Sequence, residues 1–275
     1  MLLTGSMFSS IELLLKSRLV GTPAEKFGKQ MRWLLGAGRR IRYPELWELY
    51  LEELRLPLVL RKLLADSSCG VDVGSHLGSF LSLLTTIAPN GRHIAFEPIT
   101  SKSNSIRKRF PKAEVFTLAV GRESGTARFE EDLAQSGYSG LQQRPRLSAQ
   151  ISAYDVKTCT LDDILSDKGR IDLIKLDVEG GELAALEGAR KIIQTWHPSL
   201  IFECGSEYFL HANKLDRRHL YDLIVHEFGY DIFCFGDFLF NKGNMAFDEF
   251  RKCGLYPFRA FNFIGLPKDH SGLPR

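Results

Sequence analysis

Cysteine is scarce in this chain of 275 residues: Cys69, Cys159, Cys204, Cys234 and Cys253 are five in all, widely spaced, with no Cys-x-x-Cys pair. That pattern argues against a disulfide framework or a zinc ribbon, and fits a reducing compartment, so the expected localisation is cytoplasmic. The seven histidines form no His-x-x-x-His array, and zinc-ligand spacing is absent with them. No run approaches the 18 or so apolar residues of a membrane span. Lys16 and Arg18 follow the apolar start of the chain where a secretory signal would have them precede it. Charge of one sign is lacking too. The 36 basic and 33 acidic residues leave a net charge of +3, too small an excess for a nucleic-acid scaffold, so no nucleic-acid partner is expected. With 24 glycines, 11 prolines and no internal period, collagen-like and low-complexity classes fall away as well.

What charge there is lies unevenly. Residues 16–42 hold eight basic side chains against one acid, Glu25. A solvated helix face is the plain account of this stretch; peripheral contact with an anionic membrane or a partner is the functional one. Ile11, Leu14, Leu15 and Leu19 fall at helical spacing, so residues 8–19 are expected to form a short amphipathic helix packed on the core or on a partner subunit, which would make the protein a homo-oligomer. Residues 1–68 as a whole read as a helical N-terminal extension. Pro44 suits a first helical position, Tyr43, Trp47, Tyr50, Leu51 and Leu54 recur at helical spacing, and Pro57 is expected to interrupt that helix.

From residue 69 the texture changes. Short apolar runs at 69–73, 92–97, 114–119, 171–177 and 199–204 alternate with helical patterns at 77–88, 100–110 and 181–195. This alternation predicts parallel βαβ units in an open sheet covered on both faces. Segments 230–240 and 256–264 lack a comparable helix between them and are expected to pair antiparallel at one sheet edge. Thr126 to Phe129 and Val156 to Thr160 read as extended, with a polar loop around Gln135 to Gln150 between them.

In open α/β sheets ligands bind at the carboxyl ends of the strands. The first strand ends Asp72-Val73-Gly74-Ser75-His76-Leu77-Gly78 and runs into a helix, with Gly74 for a tight turn. The second ends Phe96-Glu97-Pro98, placing a carboxylate 23 residues after Gly74, where it can accept both hydroxyls of a ribose. A dinucleotide fingerprint needs glycine near position 72 so that a pyrophosphate can approach the backbone. Asp72 would repel a pyrophosphate and suits a cationic ligand, such as the amino group and sulfonium of S-adenosylmethionine. An Asp capping the turn is the structural alternative. Downstream, Thr160 precedes Asp162 and Asp163 as a helix N-cap, which makes that acidic pair structural. Asp177-Val178-Glu179 ends the fourth strand with two carboxylates and Glu203 ends the fifth with another. Glu182 is expected to favour the N-terminus of the 181–195 helix.

These motifs, with Thr160-Leu161-Asp162-Asp163-Ile164-Leu165 and Lys175-Leu176-Asp177-Val178-Glu179-Gly180-Gly181-Glu182, resemble the FkbM family of S-adenosylmethionine-dependent methyltransferases. The resemblance spans about residues 69–205; residues 1–68 and 206–275 match no motif of that family. It implies a class I (Rossmann-like) methyltransferase fold, α/β, with a seven-stranded, mostly parallel sheet and one antiparallel edge strand over residues 69–275. S-adenosylmethionine would then lie against Asp72, Gly74, Ser75, His76, Leu77, Gly78, Glu97, Pro98 and Ala119. His76 departs from the small or amide residue that the family often has there. The implied reaction is O-methylation of a small hydroxylated acceptor, a sugar moiety of a glycolipid, glycan or natural product. Asp177, Glu179 and Glu203 are the candidate active-site acids. Asp177 and Glu203 are candidate ligands if a divalent cation such as magnesium takes part, and His211, after the fifth strand, is a candidate substrate contact. Two other classes stand against this reading: a non-catalytic nucleoside-binding scaffold, which the intact set of carboxylates disfavours, and an NAD-dependent oxidoreductase, which Asp72 disfavours.

Overall fold

A computed structural model describes residues 19–22, 24–132 and 151–268. Residues 8–18 of the expected amphipathic helix, with Lys16 and Arg18, and the loop around Gln135 to Gln150 lie outside the described residues. The chain begins with helices α1 (Ala24–Leu35), α2 (Ala37–Arg42), α3 (Trp47–Tyr50) and α4 (Glu52–Leu63). Strand β1 (Gly70–Val73) and helix α5 (Ser79–Ile87) follow, then β2 (His93–Phe96), α6 (Thr100–Arg109), β3 (Glu114–Phe116), β4 (Ala119–Val120), β5 (Gly125–Asp132) and β6 (Ile151–Cys159). The second half holds α7 (Leu161–Leu165), β7 (Leu173–Leu176), α8 (Glu182–Glu187), α9 (Arg190–Trp196) and β8 (Ser199–Glu203). After them come α10 (Glu207–Ala212), α11 (Arg217–Asp222), β9 (Tyr230–Cys234), α12 (Phe235–Leu239), α13 (Phe247–Cys253) and β10 (Asn262–Pro267).

Seven strands form one sheet in the order β3-β2-β1-β7-β8-β10-β9. All run parallel except β10, which pairs antiparallel with both β8 and β9, so the antiparallel pair does stand at one edge. The strand order reverses between β1 and β7, and that reversal is where an open α/β sheet parts to admit a ligand. The central strands are buried on both faces. In β1 every residue is buried, and β7 reads Leu-Ile-Lys-Leu with only the lysine partly accessible. On one face Leu173, Ile201 and Ile264 pack against Val59, Leu60 and Leu63 of α4 and Phe80, Leu81 and Leu84 of α5. On the other, Ile174, Leu176, Leu200 and Phe202 meet Ala185 and Leu186 of α8, Ile192 and Ile193 of α9, and Phe250 of α13. All five cysteines are free and buried among these residues, where they act as small hydrophobes. A second sheet, β4-β6-β5, stands beside the first, built on the eight-residue antiparallel register of β5 with β6.

Several elements differ from what periodicity predicts. Helix α4 continues through Pro57, which does not interrupt it, and the break falls earlier, at Leu51. An interior proline costs about 3 kcal/mol, whereas fully burying Val59, Leu60 and Leu63 returns about 1.5–3 kcal/mol each. The expected helix over 181–195 is two helices. Gly188 separates them because its backbone lies against Gly121, whose carbonyl oxygen would sit 2.2 Å from any Cβ there. The expected strand 114–119 divides into β3 and β4, which join different sheets. Residues 235–239 are helical, and α12 and α13 both stand between the paired strands β9 and β10. Thr160 does cap α7, accepting from Asp163 N at 2.9 Å. Asp162 instead caps α9, accepting from Lys191 N and Ile192 N at 3.0 and 2.9 Å.

Helix α4 is tied to the sheet by one carboxylate. Glu52 accepts from Phe261 N, Asn262 N and Asn262 Nδ2 at 2.9, 3.0 and 2.8 Å. Its loss would strand three donors at the start of β10. Glu52→Ala is expected to cost about 2–3 kcal/mol, measured by urea denaturation; a loss below about 0.5 kcal/mol would show the tether to be replaceable by water.

Candidate active site

The site is built where β1, β2 and β7 end side by side. Past Val73 the chain turns at Gly74, whose φ is +78° and whose Cβ, if it had one, would stand 1.9 Å from the carbonyl oxygen of Asp177. No side chain fits there, so the ends of β1 and β7 close to backbone contact. Gly74 N and Ser75 N both donate to Phe96 O at 3.0 Å, and Asp177 N donates to Val73 O at 3.1 Å, locking the three strand ends together. His76 adopts a left-handed φ of +50°, an uncommon conformation for a residue with a side chain. Its N–H donates to Glu97 Oε2 at 2.8 Å, while Ile99 N donates to Glu97 Oε1 at 3.0 Å. Burial pushes the Glu97 carboxyl up to about 7, against the pull of Lys102 and these two N–H groups.

A cleft of about 200 Å³ opens over this turn. Gly74, His76, Glu97 and Pro98 line one side, Ile99, Leu118, Ala119 and Phe129 give it apolar walls, and Asp177 and Glu179 close the far end. Of the residues expected at a cofactor, Gly74, His76, Glu97, Pro98 and Ala119 therefore face one cleft. Asp72, Ser75, Leu77 and Gly78 do not. Asp72 is 0% exposed and lies under the turn, because its place in β1 turns its side chain towards the α5 face of the sheet. Ser75 Oγ donates back to Asp72 O at 2.9 Å, Leu77 is buried in the core, and Gly78 packs on Phe110.

The acids behave differently from one another. Asp177, Glu179 and Glu203 each bring a carboxylate oxygen within 4.8 Å of the others, a donor set that could hold a metal ion. Lys175, the one charged residue of β7, sits beneath them. Its Nζ is 2.9 Å from Asp177 Oδ2 and 3.6 Å from Asp72 Oδ1. Burial opposes the ammonium, but the two aspartates outweigh it and keep Lys175 charged. Burial likewise opposes the Asp177 carboxylate, yet Lys175 and a hydrogen bond from Glu203 hold its pKa below the usual range. Glu203, half-buried and facing the charges of Asp177 and Glu179, has its pKa pushed well above that range, desolvation being the first cause. The cluster thus sets an acid with a lowered pKa beside one with a raised pKa.

Glu182 is the acid of the first turn of α8, as expected at that helix N-terminus. It reaches back, accepting from Val178 N at 3.0 Å and Gly180 N at 2.9 Å, and so shapes the loop that presents Glu179. Burial raises its pKa to about 7. Beyond Glu179 lies a second cavity of about 230 Å³, lined by Glu179, Glu203, Ser206, Phe209, Leu215 and Phe261, among others. His211 is exposed on α10 and lines neither cavity. Lys175 and the second cavity have no advance signal beyond a lysine placed within an otherwise apolar strand.

The model of the FkbM methyltransferase domain family matches residues 72–231, more than half of the chain. Among solved structures, the chain is similar to an FkbM methyltransferase from Methylobacillus flagellatus KT, at 20% identity and a TM-score of 0.45, over 74% of this chain and 44% of that one. The chain thus spans less than half the length of that protein. It is also similar to a precorrin-6y C5,15-methyltransferase from Geobacter metallireducens GS-15, at 12% identity and a TM-score of 0.40, over 66% and 73% of the two chains. A third similar structure is Aeropyrum pernix fibrillarin, crystallised with natively bound S-adenosyl-L-methionine, at 12% identity and a TM-score of 0.41, over 77% and 73%. No curated protein sequence matches. The seven-stranded architecture is that of the class I methyltransferase fold.

Glu97 and Glu182 generate a pH dependence. Each folded pKa, about 7, lies above the ordinary value of 4.5 for a glutamate. The folded protein therefore holds these protons more tightly, and the stability they contribute is full below about pH 4.5 and is lost as pH rises towards 7. The urea midpoint is expected to fall between pH 5 and about 7, and the Glu97→Gln/Glu182→Gln double variant to show a shallower decline. An unchanged slope would remove these two groups as its source.

Proposed function

The chain belongs to the FkbM methyltransferase family, and from that premise we propose that it is an S-adenosylmethionine-dependent O-methyltransferase acting on a hydroxyl of a small, sugar-containing acceptor. The observation that carries the proposal is that Glu179 lines two cavities, one that also holds Glu97 and another lined by Glu203, Asp216, Ser206 and apolar side chains. The first cavity suits the cofactor in its chemistry. Glu97 is a carboxylate for ribose hydroxyls, Ile99, Leu118, Ala119 and Phe129 are apolar surfaces for an adenine ring, and the acids at the far end match a cationic sulfonium and amino group.

When bound, S-adenosylmethionine supplies a methyl carbon already activated by its sulfonium. What remains for the protein is to align a hydroxyl and take its proton. Asp177, anchored by Lys175, is the fixed negative end of the site. Glu203, hydrogen-bonded to Asp177, lines the second cavity beside Glu179. Glu179 lines both cavities and is the residue placed to remove the hydroxyl proton. Positioned acid–base groups contribute about 100- to 10,000-fold to rate. The second cavity supports an uncharged acceptor, since its Arg217 is already spent on Glu207 at 2.6 Å and on the carbonyls of Gly205 and Phe250. The same three carboxylates would suit a divalent cation that acidifies the hydroxyl, but the Lys175 ammonium competes for Asp177, which favours direct proton transfer.

Calorimetry with S-adenosylhomocysteine and a methyl-transfer screen over glycans, glycolipids and glycosides test this reading. Glu97→Ala is expected to abolish cofactor binding. Glu179→Gln and Asp177→Asn are expected to retain it while lowering turnover about 100-fold or more, with a chelator leaving wild-type turnover unchanged. A wild-type protein with no affinity for the cofactor would sink the proposal, and full activity in both acid variants would reject their roles.

A further inference from the structure

Helix α1 is amphipathic and inside out. Phe27, Met31, Leu34 and Leu35 fall at i, i+4, i+7 and i+8, one apolar stripe of the kind that normally faces a core. Here the stripe faces solvent: Phe27 is 66% exposed and Leu35 79%. A polar residue holds the helix to the protein instead. Glu25 Oε2 accepts from Ser82 Oγ of α5 at 3.0 Å and from Gly21 N at 2.7 Å. Exposed apolar surface continues in chain order onto α2, where Ile41 is 81% exposed. The arrangement is rigidified from within, since the Arg40 guanidinium lies 3.7 Å from the centroid of the Trp33 ring, which packs edge-on against Trp47 at 6.2 Å.

We propose that this face docks on an anionic lipid surface, with the apolar stripe of α1 entering the acyl boundary and the arginines of α2 meeting lipid phosphates. Charge chooses this occupant among others. Helix α2 carries Arg39, Arg40 and Arg42 with no acid in its first turn, the pairing of a hydrophobic stripe with basic residues that interfacial helices use. A second copy related by a two-fold axis would set these arginines against their equals. Residues 1–18 hold Lys16 and Arg18 against Glu12, so that segment would add positive charge and cancel none. No helix of the described residues is long and apolar enough to cross a membrane; the contact is with the surface. The inference does not rest on the identity of the methyl acceptor.

Sedimentation of the full chain with vesicles of phosphatidylcholine, with and without phosphatidylserine, tests it. Binding is expected on the anionic vesicles only, weakened by raised salt. It should fall about tenfold or more in Arg39→Glu/Arg42→Glu and in Leu34→Glu/Leu35→Glu, with circular dichroism melts unchanged in both. No binding to anionic vesicles, or equal binding to both kinds, overturns the proposal. So does a dimer by light scattering that Leu34→Glu/Leu35→Glu dissolves, which would make the occupant a second copy. Because the native cysteines are all buried, Leu35→Cys also reports cover directly. Its failure to react with a maleimide in the monomer would assign the stripe to the chain's own first residues and overturn the docking.

Discussion

One buried ammonium sets the rest of the site in order. Lys175 lies between Asp72 and Asp177, at 3.6 and 2.9 Å, near the Phe80 ring on the α5 face of the sheet. Removing a single partner from such a group leaves an uncompensated buried charge, which typically costs about 3–5 kcal/mol. The three therefore stand or fall together. Their register follows from backbone geometry: Asp72 and Lys175 are direct partners in the parallel pairing of β1 with β7, and Asp177 is the next residue of the same parity. The lysine thus ties the strands on either side of the switch point and fixes which of the acids above it is ionised.

The division of protons among the acids follows from that anchor. With Lys175 holding the Asp177 pKa low, the negative charge beside it raises the pKa of the neighbouring Glu203. Glu179 belongs to neither strand. Its left-handed φ of +58° is held by the Glu182 carboxylate, which gathers the N–H groups on either side of it, at Val178 and Gly180. A carboxylate with a fixed place that lines two cavities is what taking a proton from a hydroxyl in one of them requires.

Much of this was legible in the sequence because it depends on local chemistry. The alternation of apolar runs and helical stripes after residue 69 announces parallel βαβ units. The glycine turn after Val73 and the Glu97 carboxylate point to a cleft at the strand ends, and both residues line one. What stayed hidden depends on contacts between distant residues. A strand aspartate looks the same in sequence whether its side chain opens to the cleft or turns to the buried face, and Asp72 turns to the buried face because of the parity of β1. The break at Gly188 comes from the passing backbone of Gly121, and the continuity of α4 through Pro57 from the apolar partners of Val59, Leu60 and Leu63. Glu182 follows two glycines at a helix start, a pattern that signals a cap. Only the folded loop shows it bonding backward.

The N-terminal helices acquire their meaning from how they are attached. Helix α4 is bound into the sheet by apolar packing and by Glu52, whereas α1 is bound to α5 by its polar side through Ser82. Helix α5 begins directly after the turn that forms the cleft, and Ser82 lies one turn along it. An apolar stripe turned outward is a standing cost unless something covers it, and attachment by the polar side is what turns it outward. The glutamate at residue 25 is thus the residue that decides orientation: it links α1 to the helix that follows the glycine turn. Whatever surface the stripe meets is thereby held in register with the cleft through a single rigid helix.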